Sequence, residues 1–127
     1  MSETDAPAIG AVSWRDLTVP DAAKVRDFYK NVVGWESSGV DMGGYEDFNM
    51  MAPGGKAPAA GICHARGSNA KLPPQWLIYI TVENADEAAQ RCTESGGKVL
   101  DGPRDMGGGR FCVIQDPAGA VAALYST

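Results

Sequence analysis

The chain has 127 residues, enough for one compact domain that buries a core without disulfide staples. Its formal net charge of −5 repels phosphate backbones and anionic lipid, which argues against nucleic-acid and membrane partners. Cys63, Cys92 and Cys112 are odd in number and lack metal-type spacing, so they fit a reducing cytoplasm and read as small buried hydrophobes.

Taken in order, "MSETDAPAIG" has no basic region and no apolar run, so residues 1–10 read as a loose tail and not as a signal peptide or membrane span. "IGAVSWRDLTV" alternates as a strand, with Leu17 and Val19 on one face and Trp14, Asp16 and Thr18 on the other. Pro20 ends it and Asp21 caps a helix in "AAKVRDFYKNVVG", where Val25, Phe28, Tyr29, Val32 and Val33 form the predicted apolar face. Gly34 supplies the stop. Strands are expected in "WESSGV", "YEDFNMM" and, after the turn "PGGKAP", in "AAGICHA". The polar stretch "RGSNAKLPP" reads as a linker. Beyond it come a strand, "WLIYITV", and a helix capped by Asn84 with Ala85, Ala88, Ala89 and Cys92 on its apolar stripe. "KVLDGP", "RFCVIQD" and "GAVAALYS" read as strands, with "DMGGG" as a flexible loop before the second of them. That glycine run lacks the following helix and lysine of a phosphate-binding loop.

The halves overlay. Val19 falls on Val82, Gly34 on Gly97 and Phe48 on Phe111, all at one constant offset. The expected fold is therefore α+β, two tandem βαβββ modules whose curved sheets enclose a cleft, each sheet having one helix for one face. A single domain over 11–127 divides into a module at 11–64, a linker at 65–74 and a module at 75–127.

The stretches "WRDLTVPDAAKVRDFYKNVVGWE", "AAGI", "YITVENADEAAQRCTESGGKV" and "GRFCVIQDPAGAVAALYS" resemble the vicinal oxygen chelate superfamily, the glyoxalase, bleomycin-resistance and extradiol-dioxygenase group, in its glyoxalase-like branch. In metal-using members, the resemblance implies one ligand on the first strand and one on the last strand of each module. Those positions fall here on Trp14, Ala60, Leu77 and Ala123, none with an electron pair suited to a divalent ion. No metal and no cofactor is expected at the family position.

Strand alternation places Leu17, Val19, Phe48, Met50, Ile78, Ile80, Phe111 and Val113 in the core. It leaves Trp14, Asp16, Asp47, Asn49, Tyr79, Thr81, Arg110 and Cys112 opposite. The candidate ligand-binding residues are Trp14, Asp16, Asp47, Asn49, His64, Tyr79 and Arg110. Partial burial of Asp16 would raise its pKa and suit it to an amine or hydroxyl, or to general-base work. Asp47 and Arg110 are repeat equivalents, expected opposite each other or else as a surface ion pair. His64 shares parity with Ala60 and Ile62 and is expected at the cleft mouth, or at the surface. Cys63 and His64 alternate in direction, which opposes a nucleophile–base couple.

The leading expectation is a cytoplasmic, metal-free protein that binds a small organic molecule in its cleft, with no catalytic residue assigned. The alternative is a glyoxalase-like lyase, isomerase or dioxygenase/hydroxylase-type enzyme with non-standard metal ligands or an Asp16/Tyr79 acid–base pair. A third reading gives the modules an assembly role. The modules could close within one chain or exchange between two chains in a homodimer.

Overall fold

A computed structural model describes residues 7–127. The predicted tail falls mostly on residues outside that range, but Gly10 donates to the Thr81 carbonyl at 2.7 Å and the Ala11 carbonyl accepts from Thr81 at 2.9 Å. The chain forms two compact units, one from Arg15 to Trp76 and one from Leu77 to Thr127 joined by residues 7–14.

In the first unit, β1 (Val12–Val19) leads into α1 (Ala22–Val33), β2 (Glu36–Asp41), β3 (Glu46–Met51) and β4 (Ala60–His64). The strands lie in the order β2-β3-β4-β1, with β1 parallel to β4 and the other pairs antiparallel. The Asp21 side chain accepts from the Lys24 N–H, and Gly34 closes α1 at φ 77° by donating to the Lys30 carbonyl, as the sequence predicts. Leu17, Val19, Ala22, Phe48, Met50 and Ile62 form the core beneath α1. The helix buries a narrower stripe than expected. Ala22, Val25 and Tyr29 face the core, and Trp35 and Trp76 pack on Tyr29 with ring centroids 5.6 and 5.4 Å away. Phe28, Val32 and Val33, predicted to be buried, are 56%, 62% and 49% exposed.

The second unit repeats the plan with β5 (Trp76–Thr81), α2 (Ala85–Glu94), β6 (Lys98–Met106), β7 (Gly109–Gln115) and β8 (Val121–Ser126). Its order is β5-β8-β7-β6, with β5 parallel to β8. Asn84 caps α2 by accepting from the Glu87 N–H. The loop predicted over "DMGGG" shrinks to a two-residue turn, because Gly107 and Gly108 take φ 56° and 86° while Met106 pairs with Gly109.

Register corrects the sequence overlay. Phe48 stands opposite Ile62 in the first unit, and Cys112 stands opposite Leu124 in the second. Cys112, Leu124 and Ala89 pack together beneath α2, joined by Ile80, Val82, Ala88, Val99 and Ile114. The counterpart of Phe48 is thus Cys112 and not Phe111. Phe111 and Val113, expected in the helix-covered core, occupy the other face, and Ile78 is exposed. The cause lies in the pairing of β7 with β8: Cys112 stands opposite Leu124 in the cluster beneath α2, which turns its neighbours Phe111 and Val113 the other way. The outer pairs differ as well: β6 shifts register against β7 between Val99 and Asp101 and again between Asp101 and Arg104, whereas β2 meets β3 without a break.

Candidate functional site

Each unit has one helix, so each sheet keeps a face that its own helix leaves bare. In the first unit that face is polar. Asp16 pairs in register with Gly61, and Thr18 with Cys63, so the residues alternating with Leu17, Val19 and Ile62 gather on it. The Cys63 thiol lies near the carboxylates of Asp16 and Asp47. Burial pushes this thiol well above its ordinary range, and the two negative charges push it the same way. Cys63 is therefore a weak nucleophile. Asn49 shares the face of Asp47 and is half-buried.

Asp47 is buried, and its Oδ1 accepts from the His64 backbone N–H at 2.8 Å and meets the His64 ring Nδ1 at 3.2 Å. The imidazole rests against Tyr45 and Phe48, at centroid distances of 5.5 and 6.2 Å. Phe48 belongs to the core beneath α1, so His64 stands on that side and not beside Asp16. The expected position of His64 at a cleft mouth is corrected accordingly. His64 shares parity with Ile62, and Ile62 faces α1.

In the second unit the face opposite α2 is apolar, aromatic and closed to solvent. Leu77, Tyr79, Phe111, Val113 and Ala123 line it and are all buried. The Tyr79 and Phe111 rings lie 5.6 Å apart at 30°. Sequence reasoning missed Arg104. Its Nε and Nη2 donate to the two carboxylate oxygens of Asp101 at 3.0 and 2.9 Å, and its guanidinium lies 4.9 Å from the Phe111 ring centroid. The signal for it was the proline inside "KVLDGPRDM", which marks an irregular strand able to bring residues three apart to one side. Trp14 is half-buried at the start of β1.

Arg110, predicted on the bare face, is also corrected. It forks onto Asp86 of α2 at 2.8 and 3.1 Å and reaches Asp105 at 3.2 Å. Asp47 and Arg110 each take their partners from their own unit, so the expected pairing of the two gives way to an Asp47–His64 contact and to Arg110 ion pairs with Asp86 and Asp105. The Asp86 carboxyl is held below its ordinary value by the Arg110 hydrogen bonds.

The family's metal positions need one revision. Since Asp16 faces Gly61 and Tyr79 faces Ala123, the counterpart of Ala123 is Gly61 and not Ala60. The four positions then hold Trp14, Gly61, Leu77 and Ala123, which offer indole, hydrogen and hydrocarbon. These residues do not fit a divalent ion. Among the described residues, no group of three or more His, Cys, Asp or Glu is placed to hold one elsewhere.

Comparison with known proteins agrees with this architecture. The sequence profile of the Glyoxalase/Bleomycin resistance protein/Dioxygenase superfamily matches residues 9–124, and the chain belongs to that superfamily. It is 33% identical to the anthracycline biosynthesis protein DnrV of Streptomyces peucetius over 93% of this chain and 47% of that protein. It is 31% identical to the putative glyoxylase CFP32 of Mycobacterium bovis over 91% of this chain and 45% of that protein. The chain thus spans about half the length of the curated relatives it matches. Among solved structures, a superfamily member from Vibrio splendidus 12B01 aligns with a TM-score of 0.59 at 13% identity, covering 90% of this chain and 97% of that one. Methylmalonyl-CoA epimerase of Streptomyces coelicolor aligns at 0.53 and 18% identity, covering 94% and 99%. At such identities the likeness concerns the fold.

Proposed function

We propose that this chain is a metal-free member of its superfamily that binds a small, planar organic molecule on the sheet sides opposite its helices. One observation supports the reading: the row of the second unit opposite α2 is a buried apolar and aromatic lining of Leu77, Tyr79, Phe111, Val113 and Ala123, with the half-buried Arg104 against Phe111 at its border. The Arg104–Asp101 pair beside Phe111 adds a charged handle for a ring substituent such as a hydroxyl or carbonyl oxygen. Trp14, Asp16 and Tyr79 remain the sequence-derived contacts. Two curated relatives named for anthracycline biosynthesis make hydroxylated polycyclic aromatics the first ligands to try. The three unpaired thiols suit a reducing, cytoplasmic setting. A homodimer is part of the reading, since the relatives have about twice the chain.

The test combines calorimetric titration with a hydroxyanthraquinone and metal analysis of the purified protein. The expected result is saturable binding without stoichiometric metal, weakened in Arg104→Ala and in Trp14→Ala while the fold persists. Stoichiometric metal with metal-dependent turnover would overturn the proposal in favour of an enzyme with unconventional ligands.

A further inference from the structure

A second cluster, on the α1 side of the first unit, takes no part in that proposal. Its centre is the Tyr45 ring. The Arg66 guanidinium lies over this ring at 3.8 Å from the centroid, and the His64 imidazole meets the ring at 85°. Backbone geometry holds the two basic groups together, because the Arg66 N–H donates to the His64 carbonyl at 2.9 Å in a tight turn. Asp47, buried behind the imidazole, contacts Nδ1 at 3.2 Å. Arg66 is exposed, and among the described residues no carboxylate pairs with it.

We propose that His64 and Arg66, set on Tyr45 and backed by Asp47, form a binding site for an oxyanion, the carboxylate or phosphate group of a small molecule. A guanidinium held over an aromatic ring by its central carbon still offers N–H groups to a fork-shaped acceptor. The imidazole supplies the second polar group: its Nδ1 contacts Asp47, which leaves Nε2 for the ligand, and an Nε2–H donates to the anion while Asp47 holds the other side of the ring.

The charges around the ring are few. Asp47 and Glu46 come from β3, with the Glu46 carboxylate lying over Gly39 of β2. The Tyr45 phenol precedes β3, Cys63 adjoins His64 on β4, and Arg66 follows it. Arg26 of α1 lies over the Phe48 ring, 4.5 Å from its centroid, and pairs with Asp27 at 2.9 Å. The two arginines supply the positive potential, and Asp47 is the one carboxylate in contact with the imidazole among the described residues.

The chain has one histidine, so its imidazole gives one unambiguous set of resonances. The experiment is a nuclear magnetic resonance titration with inorganic phosphate and, separately, acetate, on the full chain at ionic strength fixed with chloride. The expected result is a saturable shift of the His64 ring signals. Affinity should fall about tenfold in Arg66→Ala, the loss of one charge-assisted fork. Arg66 is exposed, so its removal leaves the fold intact, and Arg91→Ala on α2 serves as the remote control. Saturation by phosphate alone marks a phosphate ester as the ligand; saturation by both marks any oxyanion, carboxylates included. A linear, unsaturable shift, or one unchanged in Arg66→Ala, would overturn the site.

Discussion

Ser126, the last residue of β8, makes a contact whose removal can be worked through quantitatively. Its hydroxyl accepts from the backbone N–H of Ala85 at 3.0 Å, and both residues are buried. Ala85 is the first residue of α2, and the first N–H groups of a helix have no partner within it. Asn84 satisfies Glu87 instead, so Ser126 is the group that satisfies Ala85. Ser126→Ala strands that donor away from water, at a cost of about 1–3 kcal/mol. An unfolding entropy of about 2.1 cal/mol/K per residue converts each kcal/mol into roughly 4 °C for a chain of this size. Thermal unfolding followed by circular dichroism should therefore show Tm lowered by about 4–11 °C. Ser38→Ala, on the exposed strand β2, should shift it by less than about 2 °C. An unchanged Tm in Ser126→Ala would refute the reasoning, because it would mean that the helix start finds water or another partner at no cost.

Phe111→Ala should destabilise the fold by about 3–5 kcal/mol in urea unfolding, while Phe28→Ala, at an exposed ring, stays within about 0.5 kcal/mol. Burial lifts the Cys112 thiol from 9.0 to about 11, with smaller contributions from Cys92, Asp86 and Asp101. Its alkylation at mildly alkaline pH, read by mass spectrometry of the native protein, should run at least about a hundredfold slower than that of an ordinary thiol. The Asp86 carboxyl is depressed in the folded state by Arg110, so its contribution to stability is present above the ordinary carboxylate value and is lost as pH falls through the folded one. An acid titration of Arg110→Ala should lack that component, and the difference between the two chains should shrink in high salt, as both groups are exposed.

Much of the architecture was legible because it is written in short-range periodicity. Asp21 and Asn84 as caps, Gly34 as a stop, and the alternation of Leu17 and Val19 with Asp16 and Thr18 are local patterns that tertiary packing does not override. What failed depended on register. Phe111 and Cys112 are adjacent and both apolar, so neither hydrophobicity nor β-propensity tells which faces α2; only the pairing of β7 with β8 does. The same slip moved Arg110 from the bare face to Asp86, and put Ala60 in the place of Gly61. Arg104 escaped notice because its alignment with Asp101 depends on breaks in β6 that no residue pattern announces beyond Gly102 and Pro103. The exposed Phe28, Val32 and Val33 show a different limit: helical spacing defines an apolar stripe, and not how much of that stripe the sheet beneath is wide enough to cover.

The unlike inward rows of β3 and β7 have an evolutionary meaning. Where β3 keeps the Phe48 ring beneath its helix, β7 keeps the small Cys112 thiol there and turns Phe111 the other way. Duplicated halves can in this way come to present unlike chemistry, carboxylates on one and aromatic rings on the other, without any change of topology.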